Sequence, residues 1–72
     1  MDVDRIISAL QYLEGKLGTT PSTREISREA GCSEATAIKY LQYAVAQEKI
    51  IQRDGRYMTL TIAAAYDAQR HQ

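Results

Sequence analysis

Between Val3 and Leu17 the apolar residues fall at Val3, Ile6, Ile7, Leu10, Leu13 and Leu17, steps of three and four that lay one stripe along a helix. Asp2 is placed to cap that helix, Asp4 to meet the positive end of its dipole, and Gly18 to end it in a left-handed conformation. Gly15 lies inside the stripe and weakens the last turn by about 1 kcal/mol relative to alanine. Thr19 and Thr20 form a short connector, and after Pro21 the pattern restarts. Ser22 and Glu25 have the Ser-x-x-Glu spacing of a capping box, in which each side chain satisfies a backbone donor at the helix start. This predicts a short helix that buries Ile26 and Ala30 and ends at Gly31, with Ser33 as the cap of a third helix.

At 100° per residue, Ala37, Leu41, Ala44 and Glu48 share a narrow arc of the third helix, and the first three of these face the core. Ala35, Lys39, Gln42 and Ala46 point the opposite way, with Ile38 and Tyr43 on the flanks. After Lys49 the period changes. Ile50-Ile51-Gln52-Arg53 and Arg56-Tyr57-Met58-Thr59-Leu60 read as strands, and Asp54-Gly55 between them signals a two-residue hairpin turn. The alanine-rich stretch from Ile62 to about Gln69 reads as a fourth helix capped by Thr61. The core is expected from Val3, Ile6, Ile7, Leu10, Leu13, Leu17, Ile26, Leu41, Ile50, Ile51, Leu60 and Ile62.

The expected fold is therefore one domain, 1–72, mainly α with a small β-hairpin. Its parts are helix 2–17, helix 22–30, a third helix 33–48, a hairpin 50–60 and a C-terminal helix 61–70. Two helices joined by a glycine turn and followed by a hairpin are the parts of a winged helix-turn-helix: a three-helix core plus a wing and a C-terminal helix. In that arrangement the third helix is the recognition helix, which enters a DNA groove.

Size and charge set bounds on this reading. A chain of 72 residues buries only about 60% of its extended surface on folding, so its stability should be modest. Nine basic and nine acidic side chains leave no net charge, which argues against a nucleic-acid binder that works by bulk attraction to phosphate. A binder with its few positive groups on one face remains open. No apolar run approaches the roughly 20 residues that cross a bilayer, and Asp2, Asp4 and Arg5 do not make the start of a signal peptide. Cys32 is the single cysteine, which excludes an internal disulfide and fits a reducing cytosol. A cytoplasmic location is expected, nucleoid-associated when bound to DNA.

Pro21-Ser22-x-Arg24-Glu25-Ile26, then Gly31-x-Ser33-x-x-Thr36, then Leu41 and Ile50-Ile51 resemble the DNA-binding domain of GntR-type bacterial repressors. That family's pattern runs Pro-Ser-x-Arg-Glu-Leu, Gly-Val-Ser, Thr-Val, Leu and Gly-Leu-Ile, and the register matches without a gap over residues 3–60. Related bacterial winged helices share much of it; the N-terminal domain of the SOS repressor has a similar Pro-Ser-x-Arg-Glu-Ile run with a turn one residue longer. The resemblance implies that Arg24 touches the DNA backbone, that Ser33 and Thr36 contact phosphates, and that the hairpin lies along the adjacent minor groove. The chain departs from the family where Glu34 and Ile38 replace arginines that often read bases, and where Lys49 replaces a glycine before the wing. Residues 1–72 hold no counterpart of the family's effector-binding domain, and no small-molecule effector is expected.

Each candidate side chain has a plainer role beside the sharper one. Lys39 would contact phosphate or guanine and Gln42 would pair bidentately with adenine, or both belong to a solvated face. Ile38 and Ala35 suit thymine methyls or an apolar patch for a protein partner. Glu34 would accept from a cytosine amino group or simply suit a helix N-terminus. Arg53 and Arg56 flank the hairpin tip, where a wing meets the minor groove or where charge protects a sheet edge. Tyr43 would hydrogen-bond a phosphate, while Tyr40 is structural. Cys32 reads as a small buried hydrophobe. With one cysteine and one histidine, His71 in the tail, no four-ligand zinc site of those types can form. No cofactor, metal or catalytic residue is expected, and the scattered carboxylates offer no enclosed pocket.

These expectations converge on a small, sequence-specific regulator of transcription, of bacterial, phage or plasmid origin, that binds double-stranded DNA. A homodimer through Ile62, Ala65, Tyr66 and Gln69 of the fourth helix would read half-sites about 10 base pairs apart; the plainer role of that helix is to pack on the first. The alternative class is a winged-helix protein-interaction module whose Ile38, Ala35 and Tyr43 surface docks on a replication, partition or repressor protein.

Overall fold

The computed structural model describes residues 1–70; His71, the single histidine, lies outside them. The elements run α1 (Val3–Leu17), α2 (Thr23–Ala30), α3 (Glu34–Ala46), β1 (Ile50–Arg53), β2 (Arg56–Thr59) and α4 (Leu60–Arg70). The protein is thus mainly helical with one antiparallel hairpin, in a winged-helix-like arrangement.

The helix ends follow from local chemistry. Asp2 accepts from the Arg5 N–H at 2.8 Å and starts α1. At α2 the capping box closes both ways: the Glu25 N–H donates to Ser22 Oγ at 3.1 Å, and the Ser22 N–H donates to Glu25 Oε1 at 3.0 Å. Ser33 Oγ accepts from the Thr36 N–H at 3.1 Å at the start of α3. The turn between α2 and α3 needs glycine for its backbone: Gly31 has a left-handed φ of 75°.

Helices α1, α2 and α3 pack on one another around Ile6, Leu10, Leu13, Ile26, Ala30, Ala37, Leu41 and Ala44. Ala37 and Ala44 are fully buried, so their size sets how closely α3 approaches its neighbours. The hairpin closes the open side with Ile50 and Tyr57. Its register pairs Ile50 with Thr59 and Arg53 with Arg56. At the tip Asp54 has φ 52° and Gly55 φ 77°, the pair of left-handed residues that a type I′ turn requires.

Several expectations need correction. The third helix stops at Ala46 rather than at residue 48, because Glu48 takes a left-handed φ of 61°. The Glu48 N–H donates to the Val45 carbonyl and the Lys49 N–H to the Ala44 carbonyl, which closes the helix end. The position that asks for glycine is therefore Glu48, not Lys49. The hairpin passes into α4 with no linking residue, so Leu60 opens that helix instead of ending the strand, and Thr61 sits inside its first turn rather than capping it. Leu60 is accordingly exposed, and so is Leu17, since the core contribution of α1 ends at Leu13.

Helix α4 packs on both strands of the hairpin rather than on α1. Tyr57 and Met58 are consecutive and both buried, although successive strand residues face opposite sides. Tyr57 belongs to the main core, and Met58 is buried outside it, on the side that α4 covers. On α4 the buried residue is Ala63; Ile62 and Tyr66 are half-buried, while Ala65 and Gln69 are exposed.

One buried polar contact ties the first helix to this unit. Glu14 is 6% exposed. Its Oε2 accepts from the Thr59 N–H at 2.9 Å and its Oε1 from the Thr59 hydroxyl at 2.8 Å. The carboxyl group thus meets the junction between β2 and α4, where a helix start presents unpaired N–H groups. Among the described residues no helix is long and apolar enough to cross a membrane.

Candidate functional site

The outward side of α3 is open. Ala35, Lys39, Gln42 and Ala46 are all exposed, while Ala37, Leu41 and Ala44 seal its back. Because α4 lies against the hairpin, it does not cover this face. Ile38 and Tyr43 flank it, 38% and 46% exposed. The Tyr43 ring meets the half-buried Tyr40 ring edge-on at 5.6 Å, and Lys39 Nζ lies 6.0 Å from the Tyr40 centroid.

The starts of α2 and α3 are joined across the helix-turn-helix. Thr23 Oγ1 donates to Glu34 Oε1 at 2.9 Å, so Glu34 bridges the two helices as well as standing in the first turn of α3. This structural role was not visible in the sequence, where Thr23 and Glu34 are 11 residues apart. Ser33 and Thr36 bond to each other: the Ser33 hydroxyl donates to Thr36 Oγ1 at 2.9 Å while accepting from the Thr36 N–H. Ser33 is exposed and Thr36 half-buried. Arg24 is exposed in the first turn of α2.

The acidic side of this surface has a definite charge state. Hydrogen bonding from the Ser22 backbone N–H, then from the Ser22 hydroxyl, holds the Glu25 carboxyl below its ordinary value of 4.5, and the Arg56 guanidinium adds to the effect. Glu25 is therefore ionised at neutral pH, at the end of α2 where the helix dipole favours an anion. It also sets a negative charge near Arg56.

Both wing arginines are engaged by the protein itself. Arg56 Nη1 donates to the Thr20 carbonyl at 3.1 Å and to Thr20 Oγ1 at 3.2 Å, which fastens β2 to the connector between α1 and α2. Arg53 is half-buried. Its Nε lies 3.4 Å from Asp67 Oδ1 of α4, and its Nη1 donates to the Gln52 carbonyl at 3.1 Å. At the hairpin tip, the Tyr66 hydroxyl bonds the Asp54 carboxyl. The wing is therefore clamped between the connector and α4. Sequence reasoning weighed groove contact against edge protection for these arginines and missed this third role, since their partners are 36 and 14 residues away.

One further contact links the open helix face to the wing. Gln42 Nε2 donates to the Tyr57 hydroxyl at 2.5 Å. Tyr57 is 3% exposed, so a buried ring from β2 brings its hydroxyl to the edge of the exposed surface. The signal for it was the strand pattern, which gave Tyr57 a place on β2 but not its opposite number on α3. Cys32 is half-buried against the core. No protein-family model, no curated protein and no solved structure matches this chain.

Proposed function

We propose that this protein is a duplex-DNA-binding regulator of transcription, with α3 as the recognition helix and the hairpin as its wing. The observation that carries the reading is the bare outer face of α3. A helix sealed on one side by Ala37, Leu41 and Ala44 and open on the other at Ala35, Lys39 and Gln42 has the form that fits a major groove about 12 Å wide. Ala35 lets the helix approach closely, Lys39 supplies a phosphate or guanine contact, and Gln42 supplies a paired donor and acceptor. Arg24, Ser33 and Thr36 serve the backbone, as the resemblance to GntR-type domains implies. Tyr43 adds a phosphate contact, Ile38 an apolar contact to a thymine methyl, and the wing lies along the minor groove.

Arg53 and Arg56 already hold protein partners, so the wing's share is positioning more than charge. With Lys39 and Arg24 as the cations that reach phosphate, the logarithm of the binding constant should fall against the logarithm of salt with a slope of about −2 or shallower. Affinity from one copy is therefore low, and two copies on neighbouring half-sites supply the rest. Titration of a labelled random duplex at two salt concentrations tests this: Lys39→Ala should weaken binding and flatten the slope by about 1.

A second reading has its own support. Zero net charge, Glu34 on the leading turn of α3, and the exposed Ile38 and Tyr43 suit a protein partner in a replication, partition or repressor complex. No duplex binding at low salt, with a partner protein that protects Ile38 and Tyr43, would select this reading.

A further inference from the structure

We infer that Tyr57 is a positioning residue for base recognition, which fixes the Gln42 carboxamide so that it selects adenine; the inference rests on the DNA-binding reading. A glutamine on an exposed helix face ordinarily rotates freely. Its amide then offers a donor or an acceptor to a base with equal ease, and ordering it on binding costs affinity. Here the Nε2 group is held by the Tyr57 hydroxyl at 2.5 Å. The hydroxyl is carried by a ring that is 3% exposed and packed in the main core, so the anchor cannot follow the side chain.

A primary amide has two N–H groups and one oxygen. With one N–H taken by Tyr57, Gln42 retains its Oε1 and a single N–H. That pair matches adenine in the major groove, where N6–H donates and N7 accepts. Guanine offers two acceptors there, O6 and N7, and leaves Oε1 unpaired. The arrangement also joins the wing to the recognition helix in function, since the tyrosine comes from β2 and the glutamine from α3.

Holding the carboxamide in place should be worth roughly two- to twelve-fold in selectivity, the equivalent of one immobilised flexible side chain. The test is selection from a randomised duplex library by the whole protein, followed by titration of the selected site with each base at every position. Wild type should select adenine at a position where Gln42→Ala removes the preference. Tyr57→Phe should weaken the preference at that same position by roughly the factor above and leave the others unchanged. Tyr57→Phe in the Gln42→Ala background should have no further effect.

Failure of wild type to select any sequence would defeat the DNA-binding reading itself. Selection that Gln42→Ala relaxes and Tyr57→Phe leaves intact would overturn only the present inference, as would guanine at the Gln42-dependent position. If Tyr57→Phe is too unstable to assay, the wild-type amide decides the matter by NMR relaxation. An order parameter near that of rigid backbone, about 0.85, supports the inference, and one below about 0.6 overturns it.

Discussion

Replacing Glu14 should separate the hairpin and α4 from the three-helix core more effectively than any surface change. Glu14 is 6% exposed, and its carboxyl group accepts hydrogen bonds from both the N–H and the hydroxyl of Thr59. In Glu14→Ala the half-buried Thr59 N–H loses its partner, and an unsatisfied buried donor costs about 1–3 kcal/mol. The Thr59 hydroxyl can turn to water, so it adds less. The side chain's methylenes also leave the interior, at about 0.8 kcal/mol for each one that was fully buried. Together these put Glu14→Ala about 2–4 kcal/mol below wild type. Glu14→Gln keeps the methylenes and one acceptor oxygen but turns an NH2 group toward Thr59, and should lose about 1–2 kcal/mol. In a domain of this size each kcal/mol moves the melting temperature by about 4–8 °C, so thermal unfolding followed by circular dichroism resolves both. Equal stability of Glu14→Gln and wild type, to within about 0.5 kcal/mol, would refute the role given to the Thr59 hydrogen bonds.

Three further outcomes follow from single positions. Glu48→Gly should stabilise the protein by up to about 1 kcal/mol, since a left-handed φ of 61° is strained for glutamate and free for glycine; a lower melting temperature would contradict the assignment. Glu25 is held below 4.5 in the folded state, so its capping contribution is complete above about pH 4.5 and fades as pH falls through its lower folded value. Glu25→Gln, which keeps an acceptor oxygen for the Ser22 N–H but has no carboxyl to titrate, should remove that part of the acid dependence, which is read by comparing the two proteins' unfolding midpoints between pH 2 and pH 6. Arg53→Ala loses a pair whose side chains are about 40% exposed, and should cost under about 1 kcal/mol. Any larger fall in its DNA affinity would mark a direct contact.

What was legible in the sequence was what neighbours decide. The Ser22–Glu25 box, the Ser33 cap and the Asp54-Gly55 turn each depend on residues within three positions, and each formed as read. The inward arc of α3 depends only on helical period, and Ala37, Leu41 and Ala44 are buried as the period requires. Contacts that join distant segments were not legible. Glu14 and Thr59 stand 45 residues apart, and nothing local distinguishes Glu14 from a solvated glutamate. Burial of both Tyr57 and Met58 needs α4 to fold back over the hairpin, which alternation in a single strand does not reveal. Arg53 and Arg56 were read from their place at the hairpin tip, yet their partners lie on α4 and on the connector. Leu60 was read as strand because the sequence shows no break at Thr59, where the chain passes directly into α4. The exposure of Ala35, Lys39 and Gln42 on the outer face of α3 followed from helical period; the hydrogen bond from Gln42 to Tyr57 did not.

The central claim is that the outer face of α3 receives duplex DNA, and a footprint on the protein tests it most directly. Backbone and side-chain NMR signals should be followed while duplex selected from a random library is added at low salt. The account predicts shifts concentrated at Ala35, Lys39 and Gln42 and at the starts of α2 and α3, with α1 unmoved. Shifts absent at saturating duplex, or confined to the α4 and Leu60 side of the hairpin, would contradict it.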